Sequence, residues 1–353
     1  MHVLLTGSSG YLGSVLAQTL VERSATVTGL DIGFFDTDST HNSSAAVPTL
    51  QKDVRDITAL DLEHFDAIVH LAGLPPGTGK SLGERAVYEI NYRASVRLAS
   101  LAKFAGISRF VYLSELELYG NAIGETVAEE IRSRPTLAQQ DYCRNVEADV
   151  ARLADVEFSP TFLRSPIVYG PSENFRADSL INALMVEAYR SGFLCVSSDV
   201  DLRLNAVYIR DLVEAIAYVL FAERSYMHNQ TFRVSDVRGN IRLVDLKAQI
   251  ADTLPEVSIR PSDNCAEETR NYANADFSTL AHCPGSWRPR FSFHDGLNEL
   301  YQFLSEELNQ VDDAALASYD RTTRLQQLVE HGELSEDLRW KRGRKHLFQG
   351  MSV

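Results

Sequence analysis

The chain has few cysteines, and they lie far apart. The four are Cys143, Cys195, Cys265 and Cys283, with no C-x-x-C pair among them and no histidine at metal-ligand spacing. This pattern predicts reduced thiols, no metal site and a cytoplasmic location. The chain also lacks an apolar run long enough to cross a bilayer, and its first residues are typical of a strand rather than a signal peptide. No membrane partner is expected.

Positive charge is also scarce. The 353 residues include 34 lysines and arginines against 48 aspartates and glutamates, which gives a formal net charge of −14. Such a chain has no basic field for nucleic acid, so the expected partner is a small molecule, anionic or sugar-like, held by a few local cations. Hydrophobic residues make up 44% and charged residues 23%, which is typical of a globular chain with one large or two ordinary domains.

What the sequence does have is a glycine-rich turn near its start. Residues 3–6 are apolar and predict a buried strand, residues 7–13 read Gly-Ser-Ser-Gly-Tyr-Leu-Gly, and apolar residues at helical spacing follow. A second apolar run, residues 27–30, ends on Asp31. This order predicts a dinucleotide-binding βαβ unit. The alternative is a glycine-rich turn in another kind of α/β protein.

The cofactor that this unit favours is NAD. Gly7 permits a tight exit from the strand, Gly10 lets backbone N–H groups approach a diphosphate, and Gly13 lets the helix pack closely on the sheet. The diphosphate is expected at the positive end of the helix that starts near Tyr11. Asp31 is placed to accept hydrogen bonds from both ribose hydroxyls. Because no arginine follows it to compensate a 2′-phosphate, the sequence predicts NAD rather than NADP.

Further motifs carry a resemblance to a known family. They occupy residues 6–13, 53–54, 70–73, 91, 110–120, 162–171 and 207–211. With these motifs in order over residues 1–304, the chain resembles an extended short-chain dehydrogenase/reductase of the NAD-dependent epimerase/dehydratase family. The resemblance implies an α/β fold, with a Rossmann-type doubly wound parallel sheet and a smaller C-terminal substrate-binding lobe. It also implies a homodimer formed through the helices that contain Asn91 and Tyr142.

The resemblance further implies domain limits and cofactor contacts. The NAD-binding domain is residues 1–170 plus 206–224, the lobe is 171–205 plus 225–304, and 305–353 form a C-terminal helical extension. Asp53 and Val54 are expected to flank the adenine, although a helix N-cap before Ile57 is the alternative role for Asp53. In full, the predicted NAD-binding residues are Gly7, Ser9, Gly10, Tyr11, Leu12, Gly13, Asp31, Asp53, Val54, Leu71, Ala72, Gly73, Asn91 and Asn145.

The active-site motif of the family is degenerate in this chain. Family members pair a Ser or Thr at the end of the fifth strand with a Tyr-x-x-x-Lys on the next helix. Here Glu115 stands at the hydroxyl position, and Ser114, one residue earlier, points to the other face of the strand. On the helix, Tyr142 is retained, but Val146 stands where the lysine belongs.

A shift by one residue is the alternative register for this helix. It places Asp141 at the tyrosine and Asn145 at the lysine, whereas the apolar spacing from Tyr142 onward favours the first register. Neither supplies a lysine. The predicted catalytic residues are Glu115, Tyr142 and Ser114, with Glu115 as the acid/base and Asn145 or Arg144 replacing part of the lysine's contact with the nicotinamide ribose. The other interpretation is that Glu115 and Tyr142 are relics in a cleft that only binds.

Four cations are candidates for substrate binding. Lys80 lies in a glycine-rich connection, and the others are Arg203, Arg260 and Arg270. Arginine suits this role because its planar fork engages phosphate oxygens in pairs. For each of the four, the alternative is a solvated side chain or a surface ion pair.

The sequence leaves two functions open. The first is an epimerase/dehydratase-like enzyme that acts on a sugar or nucleotide sugar by transient oxidation with bound NAD. The second is a catalytically inactive NAD-binding member with a regulatory or scaffolding role. Residues 305–353 go beyond the resemblance; their apolar spacing predicts short helices, and the basic stretch 339–345 is interpreted as an intramolecular or subunit clamp.

Overall fold

The computed structural model describes residues 1–36, 47–75, 78–115, 138–196, 203–234, 240–261, 280, 283, 287–307, 312 and 316–341. Seven of the strands form one parallel sheet: β1 (His2–Thr6), β2 (Thr26–Asp31), β3 (Thr49–Gln51), β4 (Ala67–His70), β5 (Arg109–Glu115), β6 (Ser159–Ser165) and β10 (Gln230–Arg233). Their order across the sheet is β10-β6-β5-β4-β1-β2-β3.

Five further strands form two small sheets. They are β7 (Ile167–Tyr169), β8 (Phe193–Val196), β9 (Arg203–Tyr208), β11 (Asn240–Arg242) and β12 (Ser258–Pro261). Strand β9 lies between β11 and β7, and β12 pairs with β8. The apolar core beside them includes Phe175, Leu184, Leu246 and Leu300, which gives the second lobe a core of its own.

The described helices lie mainly on the two faces of the large sheet and in the second lobe. They are α1 (Tyr11–Glu22), α2 (Thr78–Leu82), α3 (Glu84–Val87), a π-helical turn (Tyr88–Ala94), α4 (Ser95–Phe104), α5 (Ala138–Ala151), α6 (Leu180–Ser191), α7 (Ile209–Phe221), α8 (Arg224–Met227), α9 (Leu243–Thr253), α10 (Phe293–Glu307) and α11 (Arg321–Glu330). Two 3₁₀ turns, Val54–Asp56 and Leu60–Leu62, follow β3.

Apolar side chains on both faces of the central strands explain why helices cover both faces. Along β1, Val3 and Leu5 belong to the core that includes α1 and α7, whereas Leu4 belongs to the core that includes α4 and α5. All three side chains are fully buried. Successive residues of a strand point to opposite faces, so a continuous apolar run requires cover on each side. The doubly wound parallel fold predicted from the sequence is confirmed.

One segment lies in a different part of the fold from the one that the sequence indicates. Gln230–Arg233 pairs in parallel with β6 in the large sheet, although the domain limits above place residues 225–304 in the substrate lobe. The physical reason is that Phe232 is buried in the same core as Leu212 and Ile216 of α7.

The C-terminal extension folds back onto the nucleotide-binding half. Leu325, Leu328, Leu334 and Leu338 share an apolar cluster with Phe34 of the segment after β2. Leu325 and Leu328 stand on α11 and present its apolar face, as the spacing predicts, whereas Leu334 and Leu338 follow the helix and are not helical.

Polar contacts fasten the end of this extension. The Trp340 Nε1–H donates to the Ile32 carbonyl at 2.9 Å, and Arg55 donates to the Leu338 carbonyl at 2.7 Å. Arg339 forms an ion pair with Asp56. Residues 339–341 therefore act within the chain, as the clamp interpretation expected, and residues 342–345 lie outside the described part. Among the described residues, no helix is both long enough and apolar enough to span a membrane.

Candidate active site

A cavity of about 770 Å³ opens at the carboxyl ends of the central strands. Gly7, Asp31, Leu71, Glu115 and Ser165 line it, and each stands at or just after the end of β1, β2, β4, β5 or β6. The strand order reverses between β1 and β4, and open α/β sheets bind ligands outside the carboxyl ends at such a point. The volume falls within the range of small-molecule and cofactor sites.

The glycine turn after β1 forms a cradle that side chains would fill. Gly7 has a φ of +73°, and a Cβ placed there would lie 2.9 Å from the Ala72 nitrogen. A Cβ on Gly13 would lie 2.0 Å from the Gly7 carbonyl oxygen. The turn therefore requires glycine at both positions, and it brings the backbone of residues 7–13 to the cavity wall. Gly10, Tyr11 and Leu12 line the cavity as predicted from the sequence.

Tyr11 fastens the glycine turn to the second lobe. Its hydroxyl donates to the Gly170 carbonyl at 2.9 Å and accepts a hydrogen bond from Asn182 at 3.2 Å. The Ser172 hydroxyl donates to the Tyr11 carbonyl at 2.7 Å. The Tyr11 hydroxyl is thus used in hydrogen bonds within the protein.

The Asp31 carboxylate is held in place at the end of β2. One oxygen accepts the Ser9 N–H at 2.9 Å, and the other accepts the Gly33 N–H at 2.8 Å. Burial raises the pKa of Asp31, and these two hydrogen bonds oppose the shift. Ser9 therefore serves the site by orienting Asp31, which lines the cavity where a ribose would follow the diphosphate.

A buried histidine supports the loop after β4. The Thr6 hydroxyl lies 2.6 Å from His70 Nδ1, and His70 Nε2 lies 2.8 Å from the Ser95 hydroxyl. Because that hydroxyl donates to the Asn91 carbonyl, Nε2 carries the proton and Nδ1 accepts from Thr6. Burial lowers the pKa of His70 to about 4.

This histidine predicts a dependence of stability on pH. Between pH 6.5 and about 4, unfolded His70 binds a proton while folded His70 does not, so acidification favours unfolding. We expect His70 to contribute a loss of up to about 3 kcal/mol as the pH falls through this window. Urea unfolding across the window checks this, with His70→Gln expected to flatten the slope. An equal slope in both proteins would contradict the assignment.

Asn91 orients the residues after β4 rather than pointing at a ligand. Its side-chain oxygen accepts the Leu74 N–H at 2.8 Å, and its amide donates to the Leu74 carbonyl at 2.9 Å. Leu71, Ala72, Gly73 and Asn91 all line the cavity. Asn91 stands in the π-helical turn, a local irregularity that often accompanies functional sites.

Asp53 has the capping role that the sequence offered as its alternative, and its contact with the adenine stays a prediction. It caps the 3₁₀ turn Val54–Asp56 by accepting the Arg55 N–H at 2.8 Å, and it forms an ion pair with the Arg55 guanidinium at 2.6 Å. Asp53 and Val54 also line the cavity, on the side where β2 ends.

Glu115 and Ser114 both reach the cavity at the end of β5. Glu115 is half-buried, and its charge helps to raise the pKa of the nearby Cys143 thiol. The Ser114 hydroxyl is buried and has no hydrogen-bond partner among the described residues. Glu115 thus ends β5 and lines the cavity, which is the position that an acid/base residue needs.

Helix α5 presents a different residue to the cavity from those predicted. Tyr142 packs against Tyr88, with ring centroids 5.4 Å apart, and Asn145 is exposed; neither lines the cavity. Cys143 lines it instead. The structure therefore does not place Tyr142 or Asn145 at the cavity wall, where the predicted catalytic and ribose contacts would require them. A Tyr-x-x-x-Lys pair would occupy one helical face, and the residue of α5 that lines the cavity, Cys143, is next to Tyr142 in the sequence and so lies on a different face.

Cys143 is a thiol rather than a thiolate. Burial and the charge of Glu115 raise its pKa to about 12. The Tyr112 hydroxyl lies 3.7 Å from the Cys143 sulfur, and its own pKa is raised by burial. Neither group is a base at neutral pH, because each stays protonated.

The predicted substrate cations do not gather at the cavity. Arg203 lies at the start of β9, 3.4 Å from the Asn240 side-chain oxygen, and Arg260 lies on an exposed strand with its guanidinium 3.9 Å from the centre of the Phe193 ring. Neither lines the cavity. The Lys80 side chain and Arg270 lie outside the described residues.

Other cations line the cavity in their place. Arg176 follows β7, Lys247 stands on α9, and Arg321 is the first residue of α11. Arg176 follows the 162–171 motif closely, which is the one sequence signal that could have marked it. The positions of Lys247 and Arg321 depend on tertiary packing, and no local motif indicates them.

A model of the NAD dependent epimerase/dehydratase family matches residues 3–235. The chain belongs to this family. The match includes the glycine turn, Asp31 and Glu115, and the family resemblance read from the motifs is confirmed.

Two relatives illustrate the range of enzymes to which this family member is similar. UDP-glucuronic acid decarboxylase 2 of Arabidopsis thaliana is 23% identical over 317 residues, which cover 84% of this chain and 66% of the relative. UDP-glucose 4-epimerase of Neisseria gonorrhoeae is 31% identical over 185 residues, which cover 46% of this chain and 52% of the relative. The matches therefore span between about half and two thirds of these relatives.

Solved structures have the same fold. The NAD-dependent NDP-hexosamine 5,6-dehydratase TunA superposes with a TM-score of 0.73 at 21% identity, covering 88% of this chain and 99% of that one. The cofactor of this epimerase/dehydratase family member is NAD. Its own residues fit that cofactor, because the glycine cradle leaves room for a diphosphate and Asp31 stands where the ribose follows.

Proposed function

We propose that the chain is an NAD-dependent enzyme that acts on a sugar or nucleotide sugar by transient oxidation, with Glu115 as the acid/base. The observation that carries this proposal is that Glu115 shares one cavity with the glycine cradle and Asp31. When bound, NAD supplies the hydride acceptor for such chemistry. The names of the two relatives, which act on UDP-glucuronic acid and UDP-glucose, support the substrate class.

The other acids around the cavity support the choice of Glu115. Asp31 is held by two backbone N–H groups, Asp53 is paired with Arg55, and Asp178 is paired with Arg176. Each of these carboxylates has a structural task. Glu115 stands at the strand end where family members place the hydroxyl of their catalytic set, and the positive field of Arg176 extends to it.

Arg176 and Lys247 are the proposed contacts for an anionic substrate. Both line the cavity, and both belong to segments of the second lobe. The Arg176 Nη2 lies 3.0 Å from the Asp178 carboxylate, and Lys247 Nζ donates to the Cys195 carbonyl at 2.8 Å. These partners hold the two cations in place, and a phosphate or carboxylate is the substrate group that suits them.

A specific observation favours the second candidate, a catalytically inactive NAD-binding protein. Helix α5 presents Cys143 to the cavity, with Tyr142 packed elsewhere and Asn145 exposed. A chain that has lost its tyrosine and lysine from this face retains cofactor binding more readily than turnover.

Incubation with nucleotide sugars distinguishes the two candidates. The purified protein, loaded with NAD, is mixed with UDP-, dTDP- and GDP-sugars while the absorbance of bound NADH and the products are followed. The enzyme proposal expects transient reduction of the cofactor or a changed sugar with at least one substrate. Tight NAD binding with no change for any sugar would favour the inactive protein. The homodimer and the cytoplasmic location stay predictions.

A further inference from the structure

The C-terminal extension brings an arginine into the cofactor cavity. Arg321 lines the cavity together with Gly10, Gly13 and Asp31. The residue is only 5% exposed. Residues 3–235 match the family model, so this side chain lies outside the matched region.

Several contacts hold Arg321 in a fixed position. Its guanidinium lies 4.2 Å from the centre of the Phe35 ring, and its Nη2 donates to the Asn174 carbonyl at 2.6 Å. Asp320 caps α11 by accepting the Thr323 N–H at 2.7 Å. A cation fixed before its ligand arrives loses little entropy on binding.

Arg321 has no carboxylate in direct contact, although Asp178 and Asp31 attract its charge from a distance. Arg176 lines the same cavity, and burial, together with the repulsion between the two cations, lowers the pKa of Arg321 to about 10, so both are protonated at neutral pH. Asp178 pairs with Arg176 at 3.0 Å, and Asp31 is bound to backbone N–H groups. Among the described residues, no carboxylate forms an ion pair with Arg321. A buried cation without a carboxylate in contact is stabilised when an anionic ligand binds to it.

We propose that Arg321 binds a phosphate oxygen of the cofactor diphosphate, so that the C-terminal extension forms one wall of the cofactor site. Arg321 shares the cavity wall with Gly10 and Gly13, beside the start of α1, and with Asp31. A bound diphosphate would be expected at the positive end of α1, within this same cavity. The planar guanidinium suits phosphate oxygens and has N–H groups beyond the one bound to Asn174.

Fragments of the cofactor test this proposal without any turnover. Calorimetric titration of the full chain with ADP and with adenosine compares Arg321→Met with the unchanged protein. We expect ADP to bind about 10- to 100-fold more weakly in the variant, as for loss of a charge-assisted hydrogen bond, while adenosine changes by less than about 2-fold. Arg324→Met, on the same helix but away from the cavity, is the matched control and should bind both fragments normally.

Three results would overturn the proposal. Equal weakening of ADP and adenosine would make Arg321 a support for the pocket shape only, and unchanged ADP binding would exclude a phosphate contact. Stronger weakening of 2′-AMP than of ADP would place the arginine at the ribose 2′ position. Should Arg321→Met unfold, Arg321→Lys retains the charge without the planar fork; it is expected to weaken ADP several-fold with adenosine unchanged, and normal ADP affinity there would count against the assignment.

Discussion

Replacing Glu115 with glutamine is expected to lower turnover by about 100-fold or more, while the affinity for NAD stays nearly unchanged. Glutamine retains the shape and the hydrogen-bonding reach of the side chain but cannot take up a proton at neutral pH. The neighbouring groups offer no substitute, because Cys143 has a pKa of about 12 and the pKa of Tyr112 is raised. Steady-state kinetics with the active sugar, together with NAD titration, measures both effects.

Glu173→Gln is the control for this experiment. Glu173 is exposed and does not line the cavity, and its replacement by glutamine removes the same charge. The turnover of the Glu173→Gln variant should therefore stay within about 2-fold of that of the unchanged protein. A Glu115→Gln variant with near-normal turnover would show that the proton moves through another group. A parallel loss of NAD affinity would instead indicate a damaged cofactor site.

The cofactor half of the site was predictable because local backbone geometry determines it. Gly7 has a left-handed backbone, and Gly13 approaches the Gly7 carbonyl too closely for any side chain. Such demands act within a few residues, so they are visible in the sequence as glycines at fixed spacing. Asp31 is equally local, since it ends the next strand and is bound by the backbone of Ser9 and Gly33.

The orientation of helix α5 was less predictable, because apolar spacing alone does not determine it. The spacing of Tyr142, Val146 and Val150 correctly predicts which residues are buried. It does not tell which neighbour each one is buried against, and Tyr142 packs with Tyr88 rather than facing the cavity. The spacing of apolar residues indicates only which side chains are buried. It does not distinguish a side chain in the wall of a cleft from one in the core, because both have apolar neighbours.

The charged residues of the site were the hardest to predict. Arg203 and Arg260, which the sequence offered as candidates for substrate binding, lie on strands of the small sheets and do not line the cavity. Arg321 reaches the cavity only because the extension folds back, with Leu325 and Trp340 packed against the segment after β2. This packing depends on two segments that are far apart in the sequence, so no local motif predicts it.

Replacing Gly13 with alanine is expected to weaken NAD binding by more than about 100-fold and to lower the free energy of unfolding by about 1–3 kcal/mol. The new Cβ would lie 2.0 Å from the Gly7 carbonyl oxygen and 2.9 Å from the Ser8 carbonyl carbon. Both are backbone atoms, so the clash is relieved only by moving the turn that cradles the diphosphate. Titration with NAD and urea unfolding measure the two effects separately.

The same substitution at Gly106 separates lost binding from lost stability. Gly106 has a φ of +78°, but a Cβ added there would meet no atom within 4 Å, so alanine is strained without touching any neighbour. It lies after α4, away from the cavity, and should cost about 1–2 kcal/mol of stability with an unchanged affinity for NAD. If Gly13→Ala lost no more affinity than Gly106→Ala, the turn would not be the diphosphate cradle. If Gly106→Ala bound NAD normally and Gly13→Ala did not, the close approach of Gly13 to Gly7 would be what cofactor binding requires.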